Sequence, residues 1–297
     1  MHNICISDTS HMIKLSPHAR VFLRPGGAIQ FGMNAYHAGI IQCEPQIISA
    51  VLAAFLELRA PTITQQFITR LVQAGLGELA ARTMVEELIA HGIIWHHQPT
   101  TVALIGNSRS AAIVHEVLNE SDIAARVPMR NESPRLFIQR LEAHIPIIVV
   151  GQQPMGALTQ ALARRRSVIP ARIIDTHCVI GPVKLSGSGP CLHCIELYCI
   201  DADPHWTALL EQCSPSQRYA PAYEHLLAAK LTGLLTATFH GATHNARMSP
   251  TITAPVLSAG TVVSFDLYTA NMHHEQRHSH PLCVYCYEQR QHTSTTR

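Results

Sequence analysis

The first 97 residues combine one alternating stretch with three longer stretches of helical spacing. Apolar and polar residues alternate over Arg20–Met33 around a Pro-Gly-Gly turn, which predicts a β-hairpin. Apolar residues then recur at intervals of three and four, which predicts helices over about residues 47–58, 62–75 and 78–91. A short apolar strand, Ile93–Trp95, ends the region. This order of elements is typical of a winged helix-turn-helix unit over residues 1–97.

Two local signals refine the helices of this unit. Thr62 and Gln65 have the spacing of a capping box, which predicts that the second helix starts directly after Pro61. The helical spacing also selects the side chains of the third helix that should face the core, namely Leu79, Val85, Leu88 and Ile89.

Winged helices often bind DNA, so the charge of this unit bears directly on its function. Residues 1–97 carry six Lys or Arg and six Asp or Glu residues, and their net charge is zero. The third helix, which would enter the major groove, carries Glu78, Glu86 and Glu87 against only Arg82. A duplex would be repelled, so a transcription factor is the weakest of the hypotheses for this chain.

The remaining residues, 98–297, alternate strands with helices. A strand over Thr101–Ile105 leads through Gly-Asn-Ser-Arg-Ser into a helix over about residues 110–118. The apolar run Ile145–Val150 suits a parallel strand that is buried on both faces. A helix over Leu158–Arg164 and a strand near Arg172–Ile174 follow. The alternation predicts an α/β domain with a doubly wound sheet.

Composition sets limits without identifying a function. Hydrophobic residues make up 47% and charged residues 14% of the chain, which is enough to bury a substantial core. The net charge of +2 comes without any block of like charges, so neither nucleic acid nor a membrane surface is predicted as a partner. The sequence has no secretion signal and no apolar run of about 18 residues, so a cytoplasmic protein is expected.

The strongest chemical signal is a pair of CxxC motifs that are separated by most of the second region. Cys191 and Cys194 form the first motif, and Cys283 and Cys286 form the second. Each CxxC turn can hold two thiolates close together, and two such turns supply the four ligands of a tetrahedral zinc ion. Because all four ligands are cysteines, no coordination position is left open, and the zinc is expected to be structural.

Other cysteines and histidines give weaker signals. A redox role for either CxxC motif is disfavoured, because neither is predicted to open a helix after a strand. The unpaired cysteines are expected to be small core or surface residues, and they are Cys5, Cys43, Cys178, Cys199 and Cys213. A late group of histidines could bind metal, although a solvated polar loop is preferred. Its members are His273, His274, His278 and His280.

Over about residues 100–290 the chain resembles the superfamily that includes ThiF, MoeB and the ubiquitin-activating enzymes. The resemblance rests on a strand, the segment Gly181–Pro190 and the two CxxC motifs. The stretches GPVKLSGSGPCLHCIELYCIDADPHW and HPLCVYC are most similar to the pseudo-adenylyltransferases of azole-peptide biosynthesis. The resemblance implies a Rossmann-like fold, one zinc ion, a YcaO-type cyclodehydratase as partner, and a precursor peptide whose leader is gripped by the winged-helix unit.

The chain departs from this superfamily where ATP would bind. Active members place GxGGxG after the first strand, so that backbone can approach the nucleotide phosphates. Here the loop is degenerate and keeps only its first glycine, with Gly106, Ser108, Arg109 and Ala111 in its positions. The Arg109 side chain would crowd the phosphates or, in a less favoured interpretation, bind them by charge.

Two further ATP-site elements of the superfamily are missing. The region Ala125–Gln139 lacks the acidic pair that contacts ribose, and Val150–Gln152 stands where a magnesium-binding aspartate is expected. No catalytic residue is therefore nominated, and ATP is not expected as a cofactor.

These observations favour a non-catalytic scaffold that binds the leader of a precursor peptide for a YcaO-type enzyme. The peptide would add as a strand to the exposed edge of the hairpin and contact the third helix. Candidate contacts, which in most proteins would be core residues, are Val21, Leu23, Ile29, Phe31, Val85 and Leu88. The alternatives are an ATP-dependent adenylyltransferase that activates a carboxylate, and a scaffold outside peptide modification. A homodimer is a further candidate assembly.

Overall fold

The structure is a computed structural model, which describes residues 11–17, 19–34, 36, 38–151, 157–213, 219–239 and 257–287. The chain divides into two compact units. The first contains Met1–Gln98 with Thr236–Pro255, and the second contains Pro99–Leu235 with Val256–Arg297. None of the described helices has the length and apolar character needed to cross a bilayer. Cys5 and Gln152, which were named above, lie outside the described residues.

The first unit contains two three-stranded antiparallel sheets and three helices. In chain order its elements are β1 (Met12–Leu15), β2 (Val21–Arg24), β3 (Ala28–Phe31), β4 (Gly39–Gln42), α1 (Ile48–Glu57), β5 (Thr62–Ile63), α2 (Thr64–Gln73), α3 (Glu78–Ala90) and β6 (Ile94–His96). One sheet has the strand order β5-β1-β6 and the other has the order β2-β3-β4. The predicted hairpin is confirmed as β2 and β3. Strands β1 and β4 were not predicted because, unlike the equally short β2 and β3, they do not flank a Pro-Gly-Gly turn that marks a hairpin.

Two local predictions in this unit are wrong. Thr62 lies in β5, and its hydroxyl donates to the carbonyl of Ala60 at 3.1 Å instead of capping a helix. Helix α2 begins at Thr64 without a side-chain cap. Leu79 is 80% exposed, so it does not face the core. Helix α3 packs instead through a stripe that consists of Ala81, Val85 and Leu88.

Three aromatic rings join the sheet β2-β3-β4 to two helices. Phe55 of α1 is fully buried and contacts Phe31 of β3 with ring centroids 4.9 Å apart. The same ring contacts Phe67 of α2 at 5.4 Å, and both contacts are edge to face. This geometry is favourable for aromatic rings, so Phe55 is the central contact of the first core.

The second unit is built on one seven-stranded mixed sheet with the order β13-β12-β11-β10-β9-β7-β8. Its strands are β7 (Thr100–Ile105), β8 (Ile123–Arg126), β9 (Ile147–Val150), β10 (Val168–Ile174), β11 (His177–Ile180), β12 (Thr261–Asp266) and β13 (Met272–Gln276). The helices along the same part of the chain are α4 (Arg109–Glu120), α5 (Pro134–Arg140), α6 (Ala157–Ala163), α7 (Leu192–Ala202), α8 (Trp206–Gln212) and α9 (Pro221–Phe239).

Strands β8, β7, β9 and β10 are parallel, as the alternation of strands and helices predicted. Strand β9 is buried along its whole length, which confirms the interpretation of its unbroken apolar run. Strands β11, β12 and β13 pair antiparallel and were not predicted. Short connections after β10 and β12 reverse the chain, so no crossover helix can form there. The observed fold is therefore a mixed α/β fold with a seven-stranded sheet.

We expect Phe55→Ala to lower the free energy of unfolding by about 3–5 kcal/mol, because it removes the ring that contacts Phe31 and Phe67. Leu79→Ala is the control and should change this energy by less than about 0.5 kcal/mol, because Leu79 is exposed. Urea unfolding monitored by circular dichroism measures both values. Equal effects of the two substitutions would contradict the assignment of the core.

Candidate metal centre and neighbouring sites

The four predicted ligand cysteines meet in the second unit. The sulfur atoms of Cys191, Cys194, Cys283 and Cys286 all lie within 4.8 Å of one another, and all four residues are buried. The Sγ–Sγ distance is 3.8 Å from Cys191 to Cys194, and it is 3.5 Å both from Cys191 to Cys283 and from Cys194 to Cys286. These distances exceed a disulfide bond of about 2.0 Å, so the group is a cluster of free thiols.

Local backbone geometry positions both halves of the cluster. Gly189 has a φ of +96°, and a Cβ atom there would lie 2.5 Å from the carbonyl oxygen of Val183. Only glycine fits this turn. Cys191 then occupies the N-cap of α7, and Cys194 lies in the first turn of that helix. The first motif therefore opens a helix, but a loop and not a strand precedes it, so the strand-then-helix arrangement of a redox motif is absent here. The second motif lies beyond the edge strand β13.

The cluster fits a tetrahedral cation. Four sulfurs at about 2.3 Å from zinc are about 3.8 Å from one another, which is close to the observed spacing. The set contains four soft ligands and offers no open position, which suits a structural ion such as zinc. Within the described part of the chain, no other group of three or more His, Cys, Asp or Glu side chains could hold a metal.

The thiols interact strongly with one another. Hydrogen bonds from Cys191 and Cys194 lower the pKa of Cys286, whereas bonds to Cys194 and Cys286, together with burial, raise the pKa of Cys191. The pKa of Cys194 is raised to about 12, because its bond to Cys286 and burial outweigh the opposite effect of its bond to Cys191. Without a cation the four thiols cannot all ionise, so metal binding must release protons.

Helix α7 also contacts the segment that precedes the second motif. His280 is buried, and its Nδ1 atom accepts from the backbone N–H of Leu282 at 3.1 Å. Its Nε2 atom therefore carries the proton and donates to Asp201 at 2.8 Å. The hydroxyl of Tyr198 donates to the carbonyl of His278 at 3.1 Å. These bonds hold the tail against α7 on the same side as the cysteines.

The late histidines do not form a second metal site. His273 and His274 are exposed on β13, and His278 is exposed as well. His280 is instead a structural residue with both ring nitrogens bonded. The preferred interpretation of a solvated polar loop is thus correct for His278, whereas His273 and His274 are exposed but belong to a strand, and His280 is buried.

Lys184 is a buried cation near the cysteines that sequence reasoning missed. Its Nζ atom donates to the carbonyl of Ala163 at 2.7 Å, and Ala163 packs against the cysteine cluster. Burial lowers the pKa of Lys184, while the four cysteines act in the opposite direction. A zinc ion with four thiolates would carry two negative charges, so a buried ammonium group nearby is favourable. The segment GPVKLSGSGP contains this lysine but gave no sign that it is buried.

The degenerate loop is stabilised by close packing at Gly106 and by a helix cap at Ser108. A Cβ atom on Gly106 would lie 2.8 Å from the carbonyl oxygen of Val150, so close packing of the strands requires glycine there. Ser108 is the N-cap of α4, and its hydroxyl accepts from the backbone N–H of Ala111 at 3.2 Å. A backbone donor of the helix N-terminus, where a phosphate would bind, is therefore already bonded.

Arg109 neither crowds the loop nor extends freely toward a ligand. Its Nε atom lies 3.4 Å from Oε2 of Glu224 on α9, although the geometry is that of an ion pair and not of a hydrogen bond. The buried hydroxyl of Ser110 donates to Oε1 of the same carboxylate at 3.2 Å. Glu224 is almost fully buried and was not predicted. It lies 114 residues after Ser110, and no local pattern connects them.

The predicted peptide contacts differ in their exposure. Ile29, Phe31, Val85 and Leu88 are buried in the core of the first unit. Val21 is partly buried, and Leu23 is 54% exposed on β2. Of the six candidates, only these two present surface to a peptide in this structure.

The sheet β2-β3-β4 has two edges with outward-facing backbone groups. The bond from Gly32 N–H to the Arg20 carbonyl, together with the register of β2 and β3, directs the N–H groups of Val21 and Leu23 outward. The bond from Cys43 N–H to the Gly27 carbonyl, together with the register of β3 and β4, directs the N–H groups of Ile40 and Gln42 outward from β4. Strand β3 lies between them, so a peptide can pair only with β2 or β4.

The two edges have different neighbours. Strand β2 lies against α1. On β4, a Cβ atom at Gly39 would lie 2.9 Å from Cδ1 of Ile93, a residue that follows α3 closely and bonds back to Leu88. The β4 edge therefore lies near the end of α3, and its Ile40 side chain is 48% exposed.

Comparison with solved structures identifies chains of similar fold. A chain of the "E. coli Microcin synthetase McbBCD complex with pro-MccB17 bound" aligns with a TM-score of 0.61 and 13% identity, over 93% of this chain and all of that one. A "Heterocyclase in complex with substrate and Cofactor" aligns with a TM-score of 0.51 and 13% identity, over 93% of this chain. This chain spans 39% of that heterocyclase and 43% of the heterocyclase TruD. No family model and no curated protein matches the sequence.

We expect Cys191→Ser and Cys283→Ser each to abolish stoichiometric zinc binding and to lower the melting temperature, because each removes one of four ligands. Cys213→Ser is the matched control, since Cys213 is exposed and outside the cluster. Elemental analysis of purified protein and thermal unfolding provide the two measurements. Wild-type protein without bound metal, or variants that keep it, would contradict the metal site.

We expect Glu224→Ala to lower the free energy of unfolding by about 1–3 kcal/mol, because the buried Ser110 hydroxyl loses its acceptor. Glu224→Gln should lower the free energy of unfolding by less, since an amide oxygen can still accept the hydrogen bond from Ser110. Glu116→Ala, at an exposed position of α4, is the control. If Glu224→Ala and Glu116→Ala unfold at the same urea concentration, the carboxylate does not support the loop.

Proposed function

We propose that this chain is a non-catalytic member of a peptide-modifying complex, which binds the leader of a precursor peptide for a YcaO-type cyclodehydratase. The observation that carries the proposal is the match over the full length of a chain from a microcin synthetase complex with its precursor bound. At 13% identity this match concerns the fold, so the function is our inference from it. The inference includes a ThiF/MoeB-like, Rossmann-like second unit that holds structural zinc.

The altered loop supports the non-catalytic part of the proposal. Nucleotide binding at a βα turn needs free backbone N–H groups and close approach to the phosphates. Here the Ser108 hydroxyl bonds the N–H of Ala111, and Arg109 and Ser110 are engaged with the buried Glu224. These groups stabilise the loop itself. We therefore propose that the turn is a structural remnant and that catalysis belongs to the partner enzyme.

The first unit supports the peptide-binding part. A leader in an extended conformation can add to an open edge of a sheet, where main-chain bonds give affinity and neighbouring side chains give selectivity. Our hypothesis requires an edge beside α3, and β4 meets this requirement through Gly39 and Ile93. We therefore assign the leader to the β4 edge of a winged-helix unit, and not to the β2 edge with Val21 and Leu23.

Proline substitution can distinguish the two edges. We expect Ile40→Pro to weaken peptide binding at least about tenfold, because it removes an outward N–H from β4 without removing a bond between β4 and β3. Leu23→Pro removes an outward N–H from β2 and should change binding less than about threefold. Ile40→Ala and Leu23→Ala remove the side chains but keep the backbone N–H groups, so they show how much of each loss of affinity comes from the side chain. Fluorescence anisotropy with labelled synthetic peptides, copied from short open reading frames beside the gene, measures the affinities.

Each outcome of this experiment bears on the proposal. A larger loss of affinity with Leu23→Pro than with Ile40→Pro would assign the peptide to β2. Wild-type affinity in both proline variants would exclude strand addition. Failure of all neighbouring peptides to bind the wild-type protein would contradict the peptide-binding function. Micromolar binding of ATP with magnesium in calorimetry would contradict the non-catalytic part and favour an adenylyltransferase.

A further inference from the structure

The second unit contains a pocket that neither the metal centre nor the altered loop uses. It lies between the sheet and the helices α7 and α8 and opens to solvent on one side. The walls are mostly apolar, with side chains from Val149, Pro170, Leu192, Ile195, Trp206 and Leu210. Arg172, Glu196 and Cys199 are the polar residues of the lining. A concave apolar site with few polar groups is typical of small-molecule binding.

Arg172, a partly exposed residue of β10, lines this pocket with its guanidinium. Its Nε atom is buried and has no hydrogen bond, and no carboxylate among the described residues forms an ion pair with it. Burial lowers the pKa of Arg172, but an arginine stays charged at neutral pH. A buried N–H without an acceptor, on a partly buried charge without a counter-ion, costs stability, so folding alone does not explain this arginine.

The neighbouring groups do not neutralise Arg172. Burial raises the pKa of Cys199, so its thiol is neutral. The carboxylate of Glu196 lies 3.2 Å from Nδ1 of His193 and is more than 4 Å from the guanidinium. Arg277 adds a second positive charge near Arg172, although it pairs with Glu275 at 2.7 Å. The pocket thus presents a positive group at an apolar wall.

We propose that this pocket binds a small monocarboxylate with an apolar or aromatic body. The planar guanidinium of Arg172 matches the two oxygens of a carboxylate and can bind both. The apolar body would contact Trp206 and the aliphatic walls. Glu196 on the same lining disfavours ligands with more negative charge, such as phosphate. The inference depends on Arg172 and its surroundings and is independent of peptide binding at the first unit.

The test uses the full-length protein and a panel of acids with their neutral amides. Benzoate, phenylacetate, hexanoate and N-acetylphenylalanine are titrated to about 10 mM, and inorganic phosphate serves as the anion control. Binding is measured by NMR and by Trp206 fluorescence in a Trp95→Phe background, in which Trp206 is the sole tryptophan. We expect at least one acid to bind, its amide to bind at least about tenfold more weakly, and phosphate not to bind.

Variants of Arg172 separate recognition from a structural role. Arg172→Met should abolish the preference for acid over amide and raise the melting temperature by about 2 °C or more, because it removes a partly buried charge and a buried N–H that has no acceptor. Arg172→Lys keeps the positive charge but lacks the planar group that can bind both carboxylate oxygens, so it should bind the acid more weakly than wild type. Zinc content should be unchanged in both variants, which verifies their fold. Failure of every acid to bind, equal binding of acid and amide, or a lower melting temperature for Arg172→Met would overturn the proposal.

Discussion

The structure of the second unit depends on four thiols that come from motifs 92 residues apart. Buried sulfurs within 4.8 Å of one another cannot share that space as thiolates without a cation. One helix, α7, carries the first motif, and it also bonds the tail through Tyr198 and Asp201. The same helix forms a wall of the Arg172 pocket. The cysteine cluster therefore anchors the helix that also holds the tail and lines the pocket.

The sequence could predict features whose cause is local or chemical. The CxxC motifs could be paired across the chain because a tetrahedral ion needs four ligands and each motif supplies two. The turn at Gly189 and the buried strand β9 follow from backbone sterics and an unbroken apolar run. Strand β4 could not be predicted, because no Pro-Gly-Gly turn like the one between β2 and β3 marks it, and its pairing with β3 is a tertiary contact.

Polar residues with distant partners were the main failure of sequence reasoning. Glu224 supports Ser110 from 114 positions away, and Lys184 bonds Ala163 from 21 positions away. Burial of such groups depends on which elements pack together, and the local sequence carries no record of that. Leu79 shows the same limit for an apolar residue, because the true stripe of α3 runs through Ala81 and Val85. Helical spacing alone does not determine which of two overlapping stripes is buried.

The degenerate loop and the Arg172 pocket contrast in how their charges are used. At the loop, Arg109 has a carboxylate partner in Glu224, and the Ser108 hydroxyl bonds a backbone N–H of α4, so these groups stabilise the fold. In the pocket, Arg172 has an apolar wall and no partner within the described chain, which costs stability. A paired polar group is explained by folding, and an unpaired buried one is not. Ligand recognition in the second unit is therefore favoured at the pocket over the loop that resembles a nucleotide site.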